Sequence, residues 1–112
     1  MYSQKRDNVI SALLQFKLDP LLPSRLFPVV SSVMQQSENC VAFDCDGANL
    51  LSQYRDTAYD NLCSVINRYI ADNIEGSSVV KDRMFVFKAS ELLITTADIN
   101  GKILVQFLPM PE

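Results

Sequence analysis

The chain has 112 residues, of which 48% are hydrophobic and 21% charged, and its formal net charge is −3. The length predicts a single domain, and this balance of apolar and charged residues excludes a wholly disordered chain. The acidic balance gives no support for nucleic-acid binding, which requires a concentrated basic face. The chain contains no histidine, which excludes a His-based catalytic triad and His-ligated metal sites.

The three cysteines, Cys40, Cys45 and Cys63, show neither a metal-binding spacing nor a disulfide framework. We interpret them as reduced thiols that pack inside a cytoplasmic protein, and we expect no metal and no cofactor. The first apolar segment is short and is interrupted by Asp19-Pro20. We therefore expect no direct insertion into a membrane, and any membrane association would come through partners.

Two helices are predicted at the start of the chain. The apolar residues of the first segment have the spacing of one helical face: Val9, Ile10, Leu13, Leu14 and Leu18. They predict a helix over 7–18, which Asp19-Pro20 ends. A second helix is predicted over about 25–36, with Ser24 as its N-cap and Pro28 in its first turn. Residues 1–23 are taken as an N-terminal helical extension and 24–112 as the main domain.

A hairpin and a long helix follow. Residues 40–43 predict a short strand, Asp46-Gly47 a tight turn, and 48–54 a returning strand. A helix is predicted over 57–75, capped by Asp56 or Thr57 and ended by Gly76. Its apolar arc is wider than packing on one sheet requires. We expect it to contact its own sheet and, in addition, either the N-terminal helices or another subunit.

Three strands are predicted after a polar loop at 76–78: about 83–88, 92–99 and 102–108. Asn100-Gly101 between the last two is a strong hairpin signal. The predicted order is α-α-β-β-α-β-β-β. This order predicts an α+β sandwich with a five-stranded antiparallel sheet, helices on one face, and a long helix between strands 2 and 3.

The segment from Val41 to Leu50 resembles the first motif of the haloacid dehalogenase-like phosphatases. That resemblance implies Asp44 as a nucleophile and Asp46 as the proton-transferring acid, with Mg²⁺ between them. The chain departs from the family at Ala48, where threonine is usual, and no downstream acidic cluster completes a metal site. A calcium loop that begins at Asp44 would require glutamate where Arg55 stands. Turn chemistry explains Asp46-Gly47 more simply.

From about Leu26 onward, the order of elements resembles the roadblock family, which includes roadblock-type dynein light chains and subunits of the lysosomal Ragulator scaffold. The resemblance rests on five segments: the hairpin at 43–51, the helix at 57–75, and the strands at 84–87, 91–95 and 102–107. The strand after the turn lacks the Ile-Pro-x-Arg run associated with dynein-type members, and the first helix has no counterpart in the shortest members.

This resemblance implies a non-catalytic subunit that dimerises by pairing long helices and joining sheets edge to edge. The implied dimer interface comprises seven residues: Tyr59, Cys63, Ile66, Ile70, Asn49, Leu51 and Gln53. The implied partners are another roadblock-type subunit, in a homodimer or heterodimer, and a small GTPase complex at a lysosomal or other endomembrane surface. A dynein light chain that binds an intermediate-chain segment, and a minimal Asp-dependent phosphatase, remain the alternatives.

Overall fold

The computed structural model describes residues 2–19, 21–22, 24–48, 50–73, 78–81, 84–87 and 92–109. Its regular elements are α1 (Tyr2–Leu14), β1 (Val29–Ser37), β2 (Cys40–Asp46), α2 (Arg55–Asn73), β3 (Ser78–Lys81), β4 (Met84–Phe87), β5 (Leu92–Ile99) and β6 (Lys102–Pro109). Short 3-10 helices at Ser24–Leu26 and Ser52–Tyr54 precede β1 and α2.

The described strands form one six-stranded sheet in the order β1-β2-β6-β5-β4-β3, and every neighbouring pair is antiparallel. The chain makes the β1–β2 hairpin, crosses through α2 to the far edge, and returns as a meander that ends beside β2. The edges of the sheet are therefore β1, with nine residues, and β3, with four.

The core lies between one face of this sheet and the two α-helices. In antiparallel strands, residues paired across the ladder point to the same face. The register places Val33, Phe43 and Ile103 side by side on the helix-covered face. Phe43 and Ile103 are fully buried, and Val33 packs against the core from the sheet edge.

Helix α1 belongs to this same core. Val9, Ile10 and Leu13 are buried in one cluster with the sheet and α2. Immediately after the helix, the Phe16 ring stands edge-on to Phe43 at a centroid distance of 5.5 Å. The described residues of the segment 1–23 therefore contribute to the same core as those of 24–112.

The beginning of α1 is held by polar contacts to the β1–β2 turn. The Tyr2 hydroxyl donates to Asn39 Oδ1 at 2.9 Å, and Arg6, one turn later, donates to the same oxygen at 3.3 Å. The helix consequently begins at Tyr2, five residues earlier than predicted. It ends at Leu14, where Phe16 N–H bonds the Leu13 carbonyl at 3.0 Å, so the prediction that it reaches Leu18 is wrong.

Helix α2 is held to both of its neighbours by side-chain hydrogen bonds. The Tyr69 hydroxyl donates to the Ala12 carbonyl of α1 at 2.8 Å. Thr96 Oγ1 of β5 lies 2.9 Å from Asn67 Oδ1, a contact that satisfies a buried threonine. The wide apolar arc of α2 thus contacts the sheet and α1, which is one of the two arrangements that the sequence left open.

The helix predicted over 25–36 is wrong, because the edge strand β1 begins at Val29 after a short 3-10 helix at Ser24–Leu26. The ladder with β2 shifts register between Val30 and Ser32, which leaves Ser31 without an opposite residue. Such a bulge turns the following residues by one position. Val30 and Val33 therefore share a face although they are three residues apart, which is the spacing that a helix would give.

The hairpin predicted around Asp46-Gly47 is also wrong. The observed hairpin joins β1 to β2 through Glu38-Asn39. After β2, Asp46 Oδ1 accepts the Ala48 N–H at 2.9 Å and the Gly47 carbonyl accepts the Leu50 N–H at 3.0 Å, which leads the chain into a 3-10 helix. Gly47 does not have a positive φ, so it is not required there for the reason predicted.

The later elements agree better with the sequence. Helix α2 begins at Arg55, two residues before its predicted start and without the predicted Asp56 or Thr57 cap, and its predicted end at Gly76 lies outside the described residues. Asn100 and Gly101, with φ of 52° and 78°, make the predicted turn between β5 and β6. The α+β class and the antiparallel sheet are confirmed. The prediction of five strands is wrong, because β1 and β3 are additional strands and the described residues of 48–54 form none.

Candidate functional site: the edge of the sheet and the segment before α2

The carboxylate of Asp44 lies in a polar row that crosses three strands. Register places Ser32, Asp44 and Lys102 opposite one another on the face away from the helices. Ser32 Oγ donates to Asp44 Oδ2 at 3.1 Å, and Lys102 Nζ lies 3.3 Å from Asp44 Oδ1. Oδ1 is buried and accepts no well-aligned hydrogen bond, so the contact with Lys102 is an ion pair without hydrogen-bond geometry.

Gly47 approaches the first turn of α2 closely. A Cβ at this position would stand 3.4 Å from the Arg55 guanidinium and 3.4 Å from the Tyr59 hydroxyl. Arg55 and Tyr59 also border a small cavity of about 180 Å³ with Asp98 and Gly101. Burial raises the pKa of Tyr59 above its ordinary value, and nearby Arg55 partly offsets that rise. The hydroxyl lies 3.5 Å from the Gly101 carbonyl.

The thiols near this segment are poor nucleophiles. Burial raises the pKa of Cys45 to about 11, and the charge of Asp44 and the Cys63 thiol add to the rise. The Cys45 thiol donates to the Phe43 carbonyl at 3.4 Å. Burial also raises the pKa of Cys40. Because the thiolate is the reactive form, neither site is arranged for nucleophilic catalysis.

Both aspartates of the segment that resembles the phosphatase motif form contacts with other residues of the same chain. Asp44 contacts Ser32 and Lys102, and Asp46 accepts the Ala48 N–H. Within the part of the chain that the structure describes, no group of three His, Cys, Asp or Glu residues could hold a metal ion. The described strands pair only antiparallel, whereas the phosphatase family uses a parallel sheet.

Four of the predicted interface residues lie inside the single chain. Cys63, Ile66 and Ile70 are fully buried, and Tyr59 is nearly so. They pack against the sheet and α1, so they present no surface to a second subunit. The exposed positions of α2 are polar or small: Arg55, Asp56, Thr57, Asp60, Ser64, Arg68, Ala71 and Asp72. The predicted helix-to-helix interface at these four positions stays a prediction, and in the single chain all four side chains are covered.

The predicted edge strand after Asp46-Gly47 is absent from the described residues in this region. Leu51 is 64% exposed and precedes a 3-10 helix that contains Gln53, which is also exposed. Asn49 lies outside the described residues. Leu51 and Gln53 are accessible, but they offer no ladder to a second sheet.

The accessible edge is instead β1, whose sequence is Val-Val-Ser-Ser-Val-Met-Gln-Gln-Ser. Its nine residues include no charged residue and no proline, the features that commonly protect an edge strand from pairing. Its backbone pairs with β2 on one side only. The two register shifts, at Ser31 and Gln36, are its visible departures from a regular edge.

A groove of about 470 Å³ runs beside this edge, between β1 and the segment that follows α1. Its apolar lining comes from Leu14, Phe16 and Leu18 on one side and from Val29, Val30 and Val33 on the other. Lys17 also lines it. The open edge and the groove are adjacent, so an added strand would find backbone partners and apolar pockets together.

The face of the sheet away from the helices carries an apolar row beside the polar one. Register aligns Met34, Ala42, Leu104 and Ala97 across four strands. Met34, at the edge end of the row, is 56% exposed. The row continues from the sheet to the open edge, so a strand added to β1 would extend it.

The sequence-based predictions do not include β1 as an open edge strand. A signal was present: Val29-Val30-Ser31-Ser32-Val33 is rich in β-branched residues, which favour strands over helices. Residues Glu38-Asn39 between two such segments are consistent with a two-residue hairpin loop.

No family model, curated protein or solved structure matches this chain. The geometry itself defines an α+β protein in which both described α-helices cover one face of an antiparallel sheet and leave one long edge strand open. Among the described residues, no helix is both long and apolar enough to cross a membrane.

Proposed function

We propose that this chain is a non-catalytic scaffold or adaptor subunit that joins a second, roadblock-type subunit through the edge strand β1. The observation that carries the proposal is the long, uncharged edge with its adjoining groove. Antiparallel pairing of edge strands is an established way to join two sheets, because each backbone satisfies the other's unpaired groups.

The acidic and thiol side chains at the end of β2 already form contacts within the chain, which supports a role without catalysis. Asp44 and Asp46 are held by contacts within the chain, and the thiol of Cys45 is kept protonated. The polar outer face of α2 favours the sheet edge over the helix as the surface that meets a partner.

The sequence resemblance extends the proposal to a complex that regulates a small GTPase at a lysosomal or other endomembrane surface, as Ragulator subunits do. In this proposal the chain is cytoplasmic and reaches the membrane through its partners. A second candidate function, a dynein light chain that holds an intermediate-chain segment, would use the same feature, because an extended segment could also add to β1.

The test is the mass of the purified full chain by light scattering, with two doubly substituted variants. Ser31→Lys with Gln36→Lys adds two charges at exposed bulge positions that have no opposite residue in β2. Gln53→Lys with Ser64→Lys adds the same charge at exposed positions away from β1.

We expect the wild-type chain and the control variant to form a stable complex, with a second copy or with a co-purified subunit. The β1 variant should be a folded monomer, because lysines on an edge strand oppose pairing. A wild-type chain that is a stable monomer with no partner, or a β1 variant with an unchanged complex, would contradict the proposal.

A further inference from the structure

The groove beside β1 has a chemical character of its own. Most of its lining residues are apolar: Leu14, Phe16 and Leu18 from the first segment, and Val29, Val30 and Val33 from β1. Ser32 and Lys17 are the polar residues among its described lining. A strand added to β1 would direct every second side chain into this groove, because side chains alternate along a strand. A segment that is apolar at alternate positions would therefore fit the groove.

Among the described residues that line the groove, Lys17 is the only charged one. Lys17 is exposed and forms no ion pair with a described residue. The nearby carboxylate of Asp19 already accepts the Leu21 N–H at 2.9 Å. A ligand with a carboxylate at this position would meet an ammonium group that is free to pair with it.

We propose, resting on the proposed function, that the groove binds an extended segment of a different protein, apolar at alternate positions and carrying an Asp or Glu that pairs with Lys17. The strand β1 of a second copy fits this description poorly, because it carries no acidic residue between Val29 and Ser37. The groove thus favours a heterologous partner over self-pairing.

The probe is a library of random octapeptides, selected for binding to the full chain and sequenced. The wild-type chain should enrich sequences with alternating apolar residues and an acidic residue at a fixed position. Lys17→Glu should enrich a basic residue at that position instead. Arg68→Glu, on the exposed side of α2, is the matched charge reversal and should leave the consensus unchanged.

A synthetic peptide of the consensus sequence then locates the site. We expect its binding to weaken about tenfold with Lys17→Glu and to shift the backbone amide resonances of β1. Methylation of those alternate backbone nitrogens of the peptide that donate to β1 should abolish binding, because the ladder would lose its hydrogen bonds.

The inference would be overturned if the selection enriched no consensus sequence. It would also be overturned by a consensus without an acidic preference, or by an acidic preference that Lys17→Glu leaves unaltered. Amide shifts confined to surfaces other than β1 would overturn it as well. A complex that protects β1 while the selection shows no acidic preference would overturn this inference and leave the proposed function standing. The absence of any complex through β1 would contradict the proposed function itself.

Discussion

Lys102 Nζ lies 3.3 Å from Asp44 Oδ1, across the ladder that joins β6 to β2. This contact assigns a structural partner to the aspartate that most resembles a phosphatase nucleophile. The Lys102 side chain is 47% exposed and the Asp44 side chain is 37% exposed, although Asp44 Oδ1 itself is buried. The pair therefore fixes the orientation of Asp44 more than it stabilises the fold.

A double-mutant cycle measures this pair. We expect Asp44→Ala and Lys102→Ala to couple by about 0.2–1 kcal/mol in the free energy of unfolding, because solvent screens exposed ion pairs. Urea unfolding of the wild-type chain, both single variants and the double variant gives the coupling. A coupling above about 2 kcal/mol would mean that the pair is far less solvated than its exposure indicates.

The two glycines of the turns should respond differently to alanine. Gly101 has a φ of +78°, where a side chain is strained, so Gly101→Ala should destabilise the protein by about 1 kcal/mol. At Gly47 a Cβ would make contacts at 3.4 Å with flexible or hydroxyl groups, so Gly47→Ala should change stability by less than about 0.5 kcal/mol. Equal losses at both positions would mean that the chain cannot accommodate the contacts of a Cβ at Gly47.

The buried face of α2 should behave as core. Ile66 is fully buried, so Ile66→Ala should lower the free energy of unfolding by about 2–5 kcal/mol. Leu51→Ala, at a side chain that is 64% exposed, is the control and should cost less than about 0.5 kcal/mol. Thermal or urea unfolding measures both. If Ile66→Ala instead dissociated a complex without destabilising the subunit, that result would support the interface predicted from the sequence.

Stability should fall in alkaline solution through Cys45. Its pKa is raised from 9.0 to about 11 in the folded chain, so the unfolded chain loses the thiol proton first as the pH rises. The stability that the protonated Cys45 thiol contributes is fully present below pH 9.0 and is lost as the pH rises through about 11. The stability difference between wild type and Cys45→Ala should shrink over this interval. A difference that is constant with pH would contradict the raised pKa.

Sequence patterns located some elements and misplaced others for identifiable reasons. The long apolar repeat predicts α2 within two residues of its observed start, and Asn100-Gly101 predicts its turn correctly, because both signals are local. The bulge at Ser31 places Val30 and Val33 on one face of the strand although they are three residues apart. Because this spacing is typical of a helix, the sequence pattern predicted a helix where β1 forms.

The candidate site could not be predicted because it depends on contacts between distant segments. Tyr2 of α1 contacts Asn39 in the turn between β1 and β2, and residues 14 and 16–18 line the groove beside β1. The broad apolar arc of α2 indicated a second neighbour correctly. Its identity, α1, depends on the Tyr69 contact with Ala12, which no pattern in the sequence specifies.

The most direct test of edge pairing is backbone amide hydrogen exchange over Val29–Ser37. The full chain would be purified from cells that produce it, together with any stoichiometric partner, and compared with the isolated chain. We predict that β1 amides become protected in the complex, while the exposed segment around Leu51 and Gln53 exchanges equally fast in both. Protection confined to α2 or to other surfaces, with β1 exchanging freely in the complex, would contradict the account.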